Sequence, residues 1–390
     1  MALLPEYLSA WQSIAIVAPQ WADQLFWLLA AAVIATLATG PLVQRVAVAG
    51  SLYDHPDDGL KPHDKPIPYL GGIAIYAGWL VAILLAMVIH PAMRSVGAWI
   101  LIGGSVLLLT GLIDDIRHLR PTTRLAIQAL VAIALLFAGI GRGITSALWD
   151  PIFPFLQETG SDGFGFATDA ILCIVVLAGA VNATNLIDGL DGLCSGTLAI
   201  AAIGFLAVFA LLSGGGRTEW DGLVVPVISI GMLGACLGFL KYNFNPASLF
   251  MGDSGSMLLG FSVATIILRL TEMAAWQGLI ASIIVFGFPI FDMALAVARR
   301  ALNRRPLFIG DRSHFYDQVR DRGLSVRRTV LLCYLLAFLF AVLGALITCL
   351  PNTLLWTVFA VLPLIASFSC WRYGLLRVDH SAERSSPSTD

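Results

Sequence analysis

The chain has 390 residues, of which 58% are hydrophobic and 12% charged, and its formal net charge is −2. Soluble domains carry about twice that charged fraction, which excludes an ordinary soluble fold. The near-neutral total says little by itself, because the charges are unevenly spread, and no nucleic acid partner is expected.

Apolar runs of about 20 residues recur along almost the whole chain, and such runs read as membrane-spanning helices. In chain order they fall near 24–48, 70–90, 96–113, 123–140, 168–184, 196–213, 223–241, 256–270, 277–298, 329–349 and 352–372. The predicted fold class is therefore all-α, a polytopic membrane protein with about eleven transmembrane helices. The runs at 168–184 and 256–270 are short, as tilted or protein-buried spans are. Residues 1–22 read as an outer interfacial segment and 23–373 as one membrane domain without internal repeats. Residues 374–390 are polar and rich in Ser and read as a disordered cytoplasmic tail. No cleavable signal peptide is expected, since the first basic residue is Arg45. The six cysteines have no paired spacing and predict neither a disulfide framework nor a metal cluster.

Basic residues alternate in density between the two sets of loops. One set holds Lys61, Lys65, Arg117, Arg120, Arg124, Lys241, the run from Arg299 to Arg328, and Arg372, Arg377 and Arg384. The other holds only Arg94, Arg142, Arg217 and Arg269. The first set is thereby predicted to be cytoplasmic, with the N-terminus outside and the C-terminus inside. Nearly all the Asp, Asn and His able to perform chemistry lie in these inner loops, five of which are distinctive.

The first runs from Asp54 to Gly72 and offers Lys61, His63 and Lys65 as cationic donors before PIPYLGG, whose glycines permit close backbone approach. A solvated positive-inside loop reads the same way. In the second, Asp114 and Asp115 close a membrane helix, and Arg117, Arg120 and Arg124 follow. Paired carboxylates at a membrane boundary are costly unless they meet a cation or water. One can help to hold a metal and the other accept a proton, and the arginines suit phosphate. A charged helix end at the interface is the plainer alternative.

The third, NATNLIDGLDGLCSG, places Asn182, Asn185, Asp188 and Asp191 at steps of three among apolar residues. On a helix such steps drift by about 60° each, so the four fan over one side. Four such oxygen-bearing side chains at membrane depth suit a hard cation such as Mg²⁺ better than they suit packing. In the fourth, FMGDSGS, Asp253 lies between glycines at a turn feeding a helix, and Phe250 precedes it. A helix N-terminus favours anions, Asp253 is a natural metal ligand, and Phe250 can stack on a base. Helix capping is compatible with that role. The fifth is the basic loop from Arg299 to Gly323, where topology explains Arg299–Arg305 better than it explains Asp311, Arg312, His314 and Asp317.

At these motifs the sequence resembles the polyprenyl-phosphate N-acetylhexosamine-1-phosphate transferases (MraY/WecA-type, glycosyltransferase family 4). NATNLIDGLDG and FMGDSGS carry the resemblance, supported by PIPYLGG and the paired aspartates, in the family's order between Asp54 and Gly323. It implies transfer of a sugar-1-phosphate, N-acetylglucosamine-1-phosphate or a related N-acetylhexosamine, from a UDP-sugar donor to a polyprenyl phosphate acceptor, with release of UMP. It also implies a plasma-membrane enzyme whose site faces the cytoplasm and uses Mg²⁺, with Mn²⁺ able to substitute.

The resemblance assigns Mg²⁺ to Asn185 and Asp253, and catalysis to Asp114, Asp115, Asp188, Asp191 and His314. Substrate binding falls to Lys61, His63, Arg124, Asn182, Phe250 and Arg312. Membrane lipid is an expected partner, and a homodimer is compatible. Two departures stand out: Leu60 replaces a frequent Arg, and His314 is alone where the family often groups several histidines. The second argues against the muramoyl-pentapeptide branch. That branch and a membrane transporter are the alternatives.

Overall fold

Segments this apolar must satisfy their backbone groups internally, which a helix does and an extended strand does not. The computed structural model describes residues 4–55, 65–149, 162–213, 223–304 and 314–376. Thirteen α-helices follow one another among them. They are α1 (Leu4–Ala49), α2 (Gly71–Ile89), α3 (Arg94–Arg117), α4 (Pro121–Phe137), α5 (Ile144–Trp149), α6 (Asp162–Leu186) and α7 (Leu193–Leu212). Then come α8 (Val224–Asn243), α9 (Gly252–Val285), α10 (Gly287–Leu302), α11 (Phe315–Asp321), α12 (Val326–Ile347) and α13 (Asn352–Arg372). Nine helices among the described residues are long and apolar enough to cross a membrane, and α4 is a shorter apolar helix. The chain is a multi-pass membrane protein.

The break expected between the runs at 256–270 and 277–298 is real. Ala274 and Ala275 leave helical geometry inside α9, Ala275 with φ of 45°. The chain folds back there sharply enough that Gly278 lies against the Leu270 carbonyl. The second of those expected runs is not one helix. It breaks at Phe286, and α10 starts at Gly287, with Pro289 in its first turn, where a missing N–H costs nothing. The segment at 1–22, expected to lie at the interface, is continuous with the first span from Leu4 onward. Residues 377–390 of the expected tail lie outside the described residues.

The core is built around α8 and α9, the two most enclosed spans. Small residues let the helices approach closely, as membrane packing requires. Gly234 and Gly238 of α8 meet Ala32 and Thr36 of α1, and Gly204 of α7 meets Ala341 of α12. Trp79, Phe205, Phe239, Phe261 and Phe288 fill the spaces between and are fully buried. The six cysteines are free thiols, five of them buried.

A small two-stranded sheet ties the first inner loop to the start of α9. Tyr53–Asp54 (β1) pairs antiparallel with Ile67–Pro68 (β2). From β2 the backbone zips onto the turn before α9. Phe250 N–H donates to Pro68 O at 2.9 Å, Gly71 N–H to Phe250 O at 2.8 Å and Gly72 N–H to Met251 O at 2.9 Å. A side chain at Gly72 would collide with Ser254 and Gly255, so the glycines of PIPYLGG are what allow this docking.

Candidate functional site

The end of α3, the start of α4, the end of α6 and the start of α9 meet at one face. α3 approaches the first turn of α9 closely because Gly111 faces Ser254 and Asp253 with no side chain between. That approach separates the paired aspartates. Asp115 turns toward α9, where its Oδ1 accepts the Asp253 N–H at 2.8 Å and its Oδ2 the Ser254 N–H at 3.3 Å. It thus caps the N-terminus of a helix other than its own, satisfying two donors that have no partner within that helix. Asp114 is buried and turns toward α4, accepting from Leu119 N–H and from Arg124, both at 2.6 Å. The same Arg124 nitrogen lies 3.5 Å from Asp253 Oδ2. One guanidinium therefore faces two carboxylates.

From α6, Asn185 Nδ2 donates to Asp253 Oδ1 at 2.6 Å and to Ser256 Oγ at 3.1 Å. An amide and a carboxylate from different helices thus meet where sequence reasoning expected a cation. Among the described residues no three His, Cys, Asp or Glu side chains cluster as a metal cage. Mg²⁺ seldom needs one, since one or two carboxylates suffice when substrate phosphates and water complete its shell. The donor set Asn185–Asp253 fits that pattern.

The remaining residues of the third motif divide. Asn182, one turn up α6, donates to Ala178 O at 2.7 Å and reaches Gln128 of α4 at 3.4 Å. Asp188 lies in the turn after α6, half-buried. Burial first, then the charges of Asp253, Asp115 and Asp191, push its carboxyl well above the usual carboxylate range. Asp191 is buried, and its Oδ2 accepts from Asn245 Nδ2 at 2.9 Å and Ala247 N–H at 3.0 Å. It braces the loop that leads to Phe250. Phe250 itself is half-buried, and its backbone joins the ribbon from β2.

His314 approaches from the other side. Its Nδ1 lies 2.7 Å from Asp292 Oδ2, and its ring stacks on Tyr316 with centroids 5.2 Å apart and planes 6° from parallel. The Tyr316 hydroxyl donates to Leu186 O at 3.2 Å, at the end of the helix that carries Asn185. The structure so brings together Asp114, Asp115, Arg124, Asn185 and Asp253 directly, with His314 one ring away from the motif's end. Lys61, His63 and Arg312 lie outside the described residues.

Three contributors escaped the sequence reading. Asn243, buried, accepts from Gly192 N–H and Ser195 Oγ, both at 3.1 Å, and donates to Leu249 O at 3.2 Å. It pins the two motif loops together. Ser256 is the Asn185 partner within FMGDSGS. Asp292 had a signal: it is a lone carboxylate in an apolar run, which is costly without a partner.

Known proteins are similar to this chain along most of its length. The glycosyl transferase family 4 profile matches residues 98–271. The chain is 36% identical over 303 residues to the probable undecaprenyl-phosphate N-acetylglucosaminyl 1-phosphate transferase of Bacillus subtilis (strain 168), covering 77% of this chain and 79% of that protein. It is 32% identical to the decaprenyl-phosphate N-acetylglucosaminephosphotransferase of Mycobacterium tuberculosis (strain ATCC 25618 / H37Rv), over 79% of this chain and 78% of that one. A phospho-N-acetylmuramoyl-pentapeptide-transferase of Geobacillus sp. (strain WCH70) is also 32% identical, over 78% of this chain and 90% of its own length.

Proposed function

Since the chain belongs to glycosyl transferase family 4, we propose that it transfers N-acetylglucosamine-1-phosphate from the UDP-sugar to a polyprenyl phosphate. It is a phosphotransferase, with a nucleotide-sugar donor and a polyprenyl phosphate acceptor. An oxygen of the acceptor phosphate attacks the sugar-bearing phosphorus of the donor. The bond from that phosphorus to the bridging oxygen breaks, UMP leaves with the electron pair, and a polyprenyl diphosphate sugar remains.

The observation that carries this reading is the convergence of Asn185 and Asp253 beside Arg124 and Asp114. Asn185 and Asp253 would hold Mg²⁺, which supplies charge neutralisation at the donor diphosphate. Arg124 meets the same phosphates from the α4 side, and its guanidinium is held by Asp114 until they arrive. Asp115 keeps the first turn of α9 in place, so Asp253 is presented at a fixed position. Asp114 or Asp188 would receive a proton from the acceptor phosphate, since both Asp115 oxygens are engaged at the start of α9. Phe250, at the ribbon, is the residue for stacking on uracil.

The cytoplasmic side of a plasma membrane is the place for this face, because the basic loops flank it. We read eleven crossings, with the N-terminus outside and the C-terminus inside; the nine long helices, the apolar α4, and the limb after Ala275 continued by α10 support that count. The isolated His314 favours an N-acetylglucosamine donor over a muramoyl-pentapeptide one.

The test is UMP release from UDP-GlcNAc by the purified protein with polyprenyl phosphate and Mg²⁺, beside UDP-MurNAc-pentapeptide and without lipid. Release that needs the lipid and the ion, with UDP-GlcNAc preferred, is expected. No release with any UDP-sugar would overturn the reading.

A further inference from the structure

His314 and Asp292 form a pair that the transfer mechanism leaves without a task. Asp292 is fully buried on α10, and both of its oxygens are engaged. Oδ2 lies 2.7 Å from His314 Nδ1, and Oδ1 accepts the Phe315 N–H at 2.7 Å. The carboxylate therefore grips the ring and the backbone beside it. A lone carboxylate inside an apolar helix is expensive for a fold to keep, and capping α11, a helix of seven residues, requires only one oxygen. The second oxygen selects a ring tautomer. A carboxylate is an acceptor, so it keeps a proton on Nδ1 and leaves Nε2 as the atom available to others.

The surroundings restrict the ring further. Tyr316 stacks on it, and the Tyr316 hydroxyl is tied to the Leu186 carbonyl and lies against Gly189. The chain Asp292–His314–Tyr316–Leu186 so connects α10 to the end of the helix that presents Asn185. A flip of the imidazole would break the Asp292 contact, and a tilt would break the stack.

We propose that Asp292 is a positioning residue of the transferase, which fixes His314 with Nδ1 protonated so that Nε2 accepts a hydrogen bond from a hydroxyl of the nucleotide-sugar donor. The proposal rests on the transferase function proposed for the chain.

The test combines kinetics with a measurement that needs no turnover. Asp292→Asn, His314→Gln and the double variant are compared for kcat and KM with UDP-GlcNAc. Asp292→Asn is expected to lower kcat about tenfold while the protein stays folded by its elution profile and melting temperature. The double variant is expected to be no slower than His314→Gln alone, because Asp292 acts through the ring. Multiplying losses would overturn the proposal, since a purely structural carboxylate would add its defect to that of His314→Gln.

Independently, ¹⁵N-labelled histidine in the full chain is read at a pH high enough to neutralise the ring, with His314 assigned by its loss in His314→Gln. Protonated Nδ1 in the wild type, shifting toward protonated Nε2 in Asp292→Leu, is expected. The same tautomer in both proteins would overturn the proposal. If Asp292→Leu does not accumulate, Asp292→Ala serves for this comparison, because it too removes the acceptor. Absence of turnover in the wild type would instead sink the reading of function, and the tautomer measurement separates the two failures.

Discussion

Asp115 and Asp253 lie on different helices, yet Oδ1 of the first accepts the backbone N–H of the second at 2.8 Å. Asp115 is thus a cap for the helix that presents Asp253. Removing a helix cap costs about 1 kcal/mol. Asp115→Ala is expected to lower the melting temperature and abolish most transfer, and Asp115→Ser to recover stability ahead of activity. An unchanged melting temperature in Asp115→Ala would rule out the capping role.

Asn185 and Asp253 make a prediction about the ion. Asp253→Ala is expected to abolish UMP release at any Mg²⁺ concentration. Asn185→Ala should keep some, with the Mg²⁺ needed for half-maximal rate raised about tenfold, the scale of a lost supporting contact. Titrating Mg²⁺ into chelator-treated protein measures both. Equal Mg²⁺ curves for wild type and Asn185→Ala would remove the amide from the ion's surroundings.

Arg124 faces Asp114 at 2.6 Å and Asp253 at 3.5 Å through one guanidinium nitrogen. Lysine keeps the charge but not the planar fork. Arg124→Lys is therefore expected to retain activity with a raised KM for UDP-GlcNAc, and Arg124→Gln to lose it. Steady-state kinetics decide, and a wild-type KM in Arg124→Lys would show that the fork is unused.

His314 links stability to pH. Burial lowers its pKa, but the hydrogen bond and charge of Asp292 and the charge of Asp317 outweigh burial and the opposing Arg300, so the net shift is upward from 6.5. A raised folded-state pKa stabilises fully below the unfolded value and is lost as pH rises through the folded one. The melting temperature of the wild type is expected to fall relative to His314→Gln as pH climbs above 6.5. Parallel curves from pH 6 upward would contradict this.

The chemistry was legible in the sequence because amides and acids within apolar segments demand a reason. Asn185 and Asp253 stand out on that ground alone. Partners were not legible. Asp114 and Asp115 are identical neighbours, yet a helix turns about 100° per residue, and only tertiary packing reveals that one faces Arg124 and the other the start of α9. Asp292 was marked as a lone carboxylate, but its partner His314 was hidden because the run reads as a single span, whereas the chain breaks at Phe286 and α10 begins anew. Asp191 read as a catalytic residue of the third motif, but only the fold could bring Asn245 and Ala247 to it.

The ribbon joining Tyr69 to Phe250 also sets an order of events during synthesis. Backbone donors at Gly71 and Gly72 find their acceptors only when residues 250 and 251 have left the ribosome. A nascent chain halted after α8 holds the first loop without its counterpart, so Asp253 can meet Asp115 only after that point.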